Sequence, residues 1–154
     1  MKNQGSIPMY NYFINEAAPG DNTGIDWYNA FTDISGALTQ LEAIPESSGV
    51  NLYIAMGNYY ADIDRSQDYM NILGGYVVPD SISSGNIDNH YKRFKSRIVG
   101  KDINLNSGTF NFDGIEFILR SGFLDDSLVL MAIHLDQERH TLGHLFSDHR
   151  NERF

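Results

Sequence analysis

Cysteine is absent from this chain of 154 residues, and basic residues are scarce, with 11 Lys and Arg against 20 Asp and Glu. Without cysteine the chain has no disulfide framework, no thiol nucleophile and no thiolate metal site. The net charge of -9 disfavours nucleic acid, whose binding depends on cations that neutralise phosphates, and favours cations or neutral partners such as glycans. No apolar run approaches the roughly 18 residues of a membrane-spanning helix, so no span is expected.

The abundant residues are those of short strands and turns. Nine Tyr, nine Phe and fourteen Gly occur together with many Asn, Asp and Ser, a mixture typical of a chain with many short strands. The length is that of one domain with a real core, so residues 1–154 are predicted to form a single domain. The first residues lead into no continuous apolar segment. A secreted protein of this sequence would therefore have lost its signal peptide or carry it outside this chain.

Two adjacent segments have clear but different periods. Apolar residues recur at helical spacing over residues 26–41, with Asp26 as a suitable N-cap and Pro45 as the stop. Trp27 falls on the apolar stripe of this predicted helix, which favours a core position over a platform for ligand stacking. Residues 50–56 alternate with the period of two of a half-buried strand. The helix is therefore expected to pack its apolar stripe on this strand.

Further short apolar segments follow at irregular intervals, separated by Gly or Asp-Gly. They lie at residues 69–73, 96–100, 103–105 and 110–119. One helix followed by very short strands fits a parallel β-solenoid better than a sandwich of hairpins. In a solenoid, the helix would cover the open end of the first coil and its unpaired strand edge. The alternative is a compact α/β domain with an antiparallel sheet and a packed tail helix.

Three ordered pieces of the chain carry a resemblance. They are the Gly-x-x-Trp-x-x-Ala segment within 24–38, the strand with its Gly-Asn-Tyr end at 50–59, and the Gly-Gly-Tyr turn at 72–76. Together they resemble the N-terminal portion of right-handed parallel β-helix repeat proteins, the pectin-lyase-like surface and secreted proteins of Bacteroidetes and related bacteria. Residues 98–100 and 112–117 look like the rungs that follow in that family.

The resemblance implies a mainly β fold, a short right-handed parallel β-helix with an N-terminal capping α-helix. It covers residues 24–119, which leaves 1–23 as an N-terminal extension and 120–154 as an uncertain C-terminal segment. It also implies an extracellular or cell-surface location. It reaches scaffold residues only, so no catalytic residue is carried over. An unfinished solenoid exposes a strand edge, and self-association through this open end is expected unless the tail covers it.

The tail departs from the family pattern. Its apolar residues permit a helix that closes the lower end of the stack, and they equally fit a tail foreign to the coil series, as a truncated or shifted reading frame would produce. His140 and His144 would share one face of such a helix, with His149 nearby, as a zinc pair requires. Position 141 is Thr, so the Glu of a metalloprotease motif is missing. Exposed tail histidines are the favoured interpretation.

An acidic segment mimics the opening of a calcium loop. Asp62, Asp64 and Asp68 alternate around Ser66 and offer carboxylate oxygens, the ligands that calcium prefers. Gln67 occupies the position where an EF-hand needs glycine, and Leu73 occupies that of the bidentate Glu, which argues against an EF-hand. A looser calcium site and a solvated acidic turn both remain as interpretations. No cofactor is therefore expected, and calcium is the alternative.

A basic and aromatic segment supplies the candidate ligand site. Tyr91, Arg93, Lys95 and Arg97 alternate over residues 91–97, which hold four of the eleven basic residues. Aromatic platforms with nearby cations can bind sugars, and Arg or Lys could neutralise a uronate. The plainer interpretation is a polar approach to a strand, in which the cations offset the acidic surface.

The sequence thus favours a secreted or cell-surface binding or adhesion protein, with carbohydrate as the expected partner, over an enzyme. The alternative is a fragment of a calcium-dependent polysaccharide lyase or glycoside hydrolase. That chemistry needs clustered carboxylates that hold calcium beside a base. The acidic candidates, which no motif pairs, are Asp113, Glu116, Asp125 and Asp126.

Overall fold

The computed structural model describes residues 7–92, 94–120 and 127–130, with only the backbone at 119–120 and 127–130. The described chain is mainly β. Its elements are β1 (Met9–Ile14), α1 (Ile34–Leu41), β2 (Gly49–Ala55), β3 (Gly57–Tyr60), β4 (Ile63–Tyr76), β5 (Ser96–Gly100), β6 (Ile103–Asp113), β7 (Ile115–Arg120) and β8 (Ser127–Leu130). Within these ranges no helix is long and apolar enough to cross a membrane. The predicted tail helix and the tail histidines His140, His144 and His149 lie outside the described residues, as do Asp125 and Asp126.

The strands form two four-stranded sheets. The first sheet has the order β1-β2-β4-β6, and all of its neighbours are parallel. The second sheet has the order β3-β5-β7-β8 and is parallel except for the last pair, β7 and β8. The prediction that the apolar segments between residues 50 and 119 pair in parallel is confirmed within each sheet. The antiparallel α/β alternative does not describe these strands.

Equivalent positions repeat from strand to strand. In the first sheet Gly49 pairs with Met9 on one side and Tyr69 on the other, and Tyr69 pairs with Thr109. The register shifts within the β4 and β6 pair, near Gly108. Gly108 has a φ of +114°, and a Cβ there would lie 1.7 Å from the carbonyl oxygen of Gln67. Only glycine fits this irregularity in the ladder.

The main core lies between the two sheets and includes one face of α1. The first sheet contributes Ile14, Val50, Leu52, Ile54, Met70, Ile72, Phe110 and Phe112, the second Tyr59, Ile98, Ile115 and Phe117, and α1 Ile34, Ala37 and Leu41. The alternation over residues 50–56 predicts one face with Val50, Leu52, Ile54 and Met56, and the first three of these are buried. Met56 is exposed instead, because β2 ends at Ala55 and the next amide donates to Tyr76 at 2.8 Å.

The predicted helix over residues 26–41 is wrong in its first half. The helix begins at Ile34, and its N-cap is Asp33, whose carboxylate accepts from the Gly36 amide at 2.7 Å. Upstream, the Phe31 amide donates to Phe13 at 2.8 Å, and the Phe31 carbonyl accepts from Asn15 at 2.8 Å. These backbone groups are therefore bonded to the β1 region and cannot form helical bonds.

Trp27 is buried as predicted, but not on a helix stripe over β2. It belongs to a second cluster on the opposite face of the first sheet, together with Phe13, Ala30, Ala55 and Tyr76. Its ring meets that of Phe13 edge to face at 4.9 Å, and its Nε1 donates to the Asp88 carbonyl at 2.7 Å. The segments around Trp27 and Asp88 thus cover part of the outer face of the first sheet.

Candidate functional site

The predicted basic ligand site is divided between different surroundings. Tyr91 is exposed, and its carbonyl accepts from the Val77 amide at 2.9 Å, just beyond β4. Arg97 instead lies on β5 in the second sheet, between Asn58 of β3 and Glu116 of β7. Lys95 is exposed next to β5, and Arg93 lies outside the described residues. The alternation along the sequence thus does not translate into one shared row.

Two basic side chains, Arg97 and Lys92, form ion pairs with carboxylates. The Arg97 Nε lies 2.6 Å from a carboxylate oxygen of Glu116. Lys92, which the sequence did not single out, places its Nζ 2.7 Å from an Asp113 oxygen and 5.6 Å from the centre of the Tyr76 ring. Opposite charges therefore offset each other at both places. This leaves less positive charge for a uronate than the sequence suggested.

The predicted calcium residues have other partners. One Asp62 oxygen accepts from the Asp102 amide at 3.1 Å and the Lys101 amide at 2.7 Å, and these bonds hold the pKa of the Asp62 carboxyl below its usual value. Asp64 accepts from the Asn106 side chain at 2.6 Å.

The exposed Asp68 uses its backbone amide to bond the Glu46 carbonyl at 2.8 Å. Among the described residues no group of three or more acidic or histidine side chains is placed to hold a metal ion. The calcium site stays a prediction without geometric support.

Gln67, inside this acidic segment, serves the fold. Its side chain is 1 % exposed, and its Nε2 donates to the carbonyls of Ser48 at 2.7 Å and Pro45 at 3.0 Å. Its Oε1 accepts from the Arg65 Nε at 3.1 Å. The loop before β2 is thereby fixed to β4. A buried glutamine with these partners distinguishes the segment from a solvated turn.

A row of asparagines crosses the first sheet, which the sequence analysis missed. We define the asparagine row as Asn11, Asn51, Asn71 and Asn111, one from each strand. Each later member donates from its Nδ2 to the Oδ1 of the preceding strand's member, at 2.9, 2.7 and 2.8 Å. The available signal was an Asn between two apolar residues in four separate segments. Only the register shows that these four positions coincide.

One flank of the asparagine row is open to solvent. Met9 and Tyr69 are each 45 % exposed, and Thr109 follows on β6 at the equivalent position. Gly49 lies between Met9 and Tyr69, and a Cβ there would lie 2.2 Å from the Met9 sulfur. The Met9 side chain therefore covers Gly49. We call the asparagine row with Met9, Tyr69 and Thr109 the asparagine face.

The other flank is covered on β1, β2 and β4, and its position on β6 is the exposed Asp113. Phe13, Tyr53 and Leu73 occupy the equivalent positions on β1, β2 and β4, and the Phe13 and Tyr53 rings stack at 5.1 Å. Trp27 and Tyr76 pack over them as part of the second cluster. The asparagine row thus lies directly beside the covered part of the sheet.

The asparagine face is uncharged and rich in hydrogen-bonding groups. An asparagine amide offers two donors and an acceptor oxygen with two lone pairs, and the ladder uses one donor and one acceptor position of each inner member. The ladder fixes the amide planes. The face can therefore present ordered donors and acceptors beside the Tyr69 ring.

Comparison of the chain with protein-family models, with curated proteins and with solved structures found no match.

Proposed function

We propose that this chain forms the first coils of a right-handed parallel β-helix in a secreted or cell-surface protein that binds carbohydrate. The observation that carries the proposal is the parallel pairing of all neighbouring strands in both sheets from β1 to β7. Such pairing places equivalent side chains side by side across strands. Rows of this kind suit the recognition of an extended polymer.

The order of elements supports the β-helix part of the proposal. After α1, the chain alternates between the sheets: β2, β4 and β6 lie in the first sheet, and β3, β5 and β7 follow each of them in the second. In a coil series each turn contributes one strand to each sheet. The helix α1 buries Ile34, Ala37 and Leu41 in the main core, while β1, not α1, pairs with the outer edge of β2.

The surface chemistry supports binding over catalysis. Exposed tyrosines lie on the outer faces of both sheets, Tyr69 on β4 and Tyr60 on β3, and tyrosine rings combine an apolar face with a polar tip. The acidic candidates Asp113 and Glu116 are engaged with Lys92 and Arg97. Both carboxylates therefore already have cationic partners.

A glycan array probed with the full chain tests the proposal, together with a lyase assay on uronic-acid polymers with and without calcium. We expect selective binding to one class of glycan on the array. We expect no unsaturated product in the lyase assay, with or without calcium. Unsaturated product that forms only with calcium would replace the binding function by a polysaccharide lyase. Absence of binding to any arrayed glycan would remove the carbohydrate assignment.

A further inference from the structure

The asparagine face has the chemistry of a binding site for an uncharged sugar chain. Three observations meet there: amide groups fixed in a row, an exposed tyrosine on one flank, and a covered half of the sheet on the other. We propose that this face binds an unbranched, neutral polysaccharide that lies across the strands along the asparagine row. This inference rests on the proposed function and deepens it by naming the ligand class and the surface.

The spacing of the row favours a polymer over a single sugar. Neighbouring strands in a sheet lie about 4.8 Å apart, so the amides of Asn11, Asn51, Asn71 and Asn111 recur at that interval across four strands. This interval is of the order of one pyranose ring in an extended chain. Successive sugar hydroxyls would therefore meet successive amides, which both donate and accept hydrogen bonds.

The ladder lowers the entropic cost of binding. Each inner asparagine is held by amide contacts on both sides, at 2.9 and 2.7 Å for Asn51 and at 2.7 and 2.8 Å for Asn71. Side chains that are already ordered lose little rotamer freedom when a ligand arrives. Tyr69 then supplies an exposed ring on which the apolar face of a sugar can stack.

The charges around the face favour a neutral ligand. The row itself carries no charge, and the cation beside it, Lys92, is paired with Asp113 at the β6 end. The whole chain has a net charge of -9, which repels a polyanion such as a polyuronate. A cationic polymer would find no carboxylate of the protein along the row itself. An uncharged, hydroxyl-rich chain is the ligand that matches.

Calorimetric titration of the full chain with cellohexaose, xylohexaose, mannohexaose and hexagalacturonate tests this inference. We expect at least one neutral hexaose to bind and hexagalacturonate to bind more weakly. Tyr69→Ala should weaken the neutral hexaose about tenfold or more, as the loss of an anchoring aromatic does. Tyr60→Ala is the matched control, since Tyr60 is 65 % exposed on the second sheet. The affinity of this variant for the neutral hexaose should stay within about twofold of the wild type.

A second measurement needs no variant. In the wild-type protein, the side-chain amide NMR signals of the asparagine row should shift on addition of the bound hexaose, while those of Asn58 on β3 should not. Preferred binding of hexagalacturonate would overturn the inference but leave glycan binding intact. A loss of affinity in Tyr60→Ala or Arg97→Ala, with the affinity of Tyr69→Ala unchanged, would also overturn the inference. Unshifted amide signals from the asparagine row would overturn it as well. If no hexaose and no arrayed glycan binds, the proposed function itself fails.

Discussion

A single glycine occupies one of the two places at which β4 and β6 change register. Gly108 combines a φ of +114° with a backbone oxygen of Gln67 where a side chain would begin. Both the dihedral angle and the close approach exclude other residues. The stability of the pairing between these two long strands therefore depends on this position.

Gly108→Ala should lower the free energy of unfolding by about 3 kcal/mol or more, because strain at a positive φ adds to a backbone clash. Urea unfolding followed by circular dichroism measures it. Gly85→Ala is the control, because Gly85 has a φ of +88° but nothing within 4 Å of the added Cβ. Its cost should be about 1 kcal/mol. Equal losses for the two variants would mean that the contact with Gln67 does not contribute.

The Asp62 carboxylate makes stability depend on pH. Its pKa is lowered in the folded state by backbone hydrogen bonds from Asp102 and Lys101, so its contribution is present above the unfolded pKa of about 3.9 and is lost as pH falls through the folded value. Asp62→Asn should cost less than about 1 kcal/mol at pH 7, since the group is largely exposed.

Urea unfolding of the Asp62→Asn variant and the wild type at a series of pH values checks this dependence. The difference in free energy of unfolding between the two proteins should shrink below about pH 4, where the wild-type carboxylate is also neutralised. A difference that stays constant down to the acid limit would show that the carboxylate charge contributes nothing.

At the scale of elements, the asparagine row is the contact that joins all four strands of the first sheet through side chains. Backbone ladders pair strands two at a time, whereas the amides form one continuous chain. The inner members Asn51 and Asn71 have two row partners, and the end members Asn11 and Asn111 have one. The cost of substitution should follow this count.

Asn71→Ala should therefore lower the free energy of unfolding by about 1–2 kcal/mol, and Asn11→Ala by about 0.5–1 kcal/mol, at the usual net value of a hydrogen bond. Chemical unfolding of the two variants and of the wild type gives both values. The substitutions are chemically identical, so each controls the other. A greater loss for Asn11→Ala would show that the ladder is not the source of the stabilisation.

Most strand elements could be predicted from local pattern, but the start of α1 at Ile34 and the start of β4 at Ile63 could not. The alternation of Val50, Leu52 and Ile54 identifies β2 because a strand face is a local property. The helical spacing of Trp27 and Phe31 misled, since the two side chains enter different clusters, on opposite faces of the first sheet. Tertiary pairing of this segment with β1 overrides its local period.

The candidate sites depended even more on register. The contact between Arg97 and Glu116 and the coincidence of Asn51 with Asn71 arise only when strands distant in sequence align. Local spacing suggested cations that face one ligand. The alignment of β5 with β7 pairs one of these cations, Arg97, with a carboxylate instead. Likewise, Asp62 resembled a metal ligand because the amides of Lys101 and Asp102 could not be foreseen.

At the scale of the whole molecule, the first sheet is bounded by β1 and β6 within the described residues. The C-terminal part of β1 is bonded to residues Gly24 and Phe31. Outer strands present backbone donors and acceptors that another chain can pair with. Open strand edges of this kind lead us to expect self-association in solution.

We expect the chain without residues 135–154 to self-associate in a concentration-dependent way, because an open strand edge is a template for pairing. Sedimentation velocity at several concentrations measures this for the truncated and the full chain. A smaller effect in the full chain would indicate that the tail protects the edge. A truncated chain that stays a monodisperse, highly stable monomer would contradict the expectation.

The reversed direction of β8 bears on any attempt to lengthen the protein by grafting. This strand occupies the side of β7 at which the next parallel strand of the second sheet would pair. A designer who inserts an additional turn after Arg120 has to remove or re-route residues 127–130 first. Among the described residues, no reversed strand lies at the opposite end of the second sheet, beside β3.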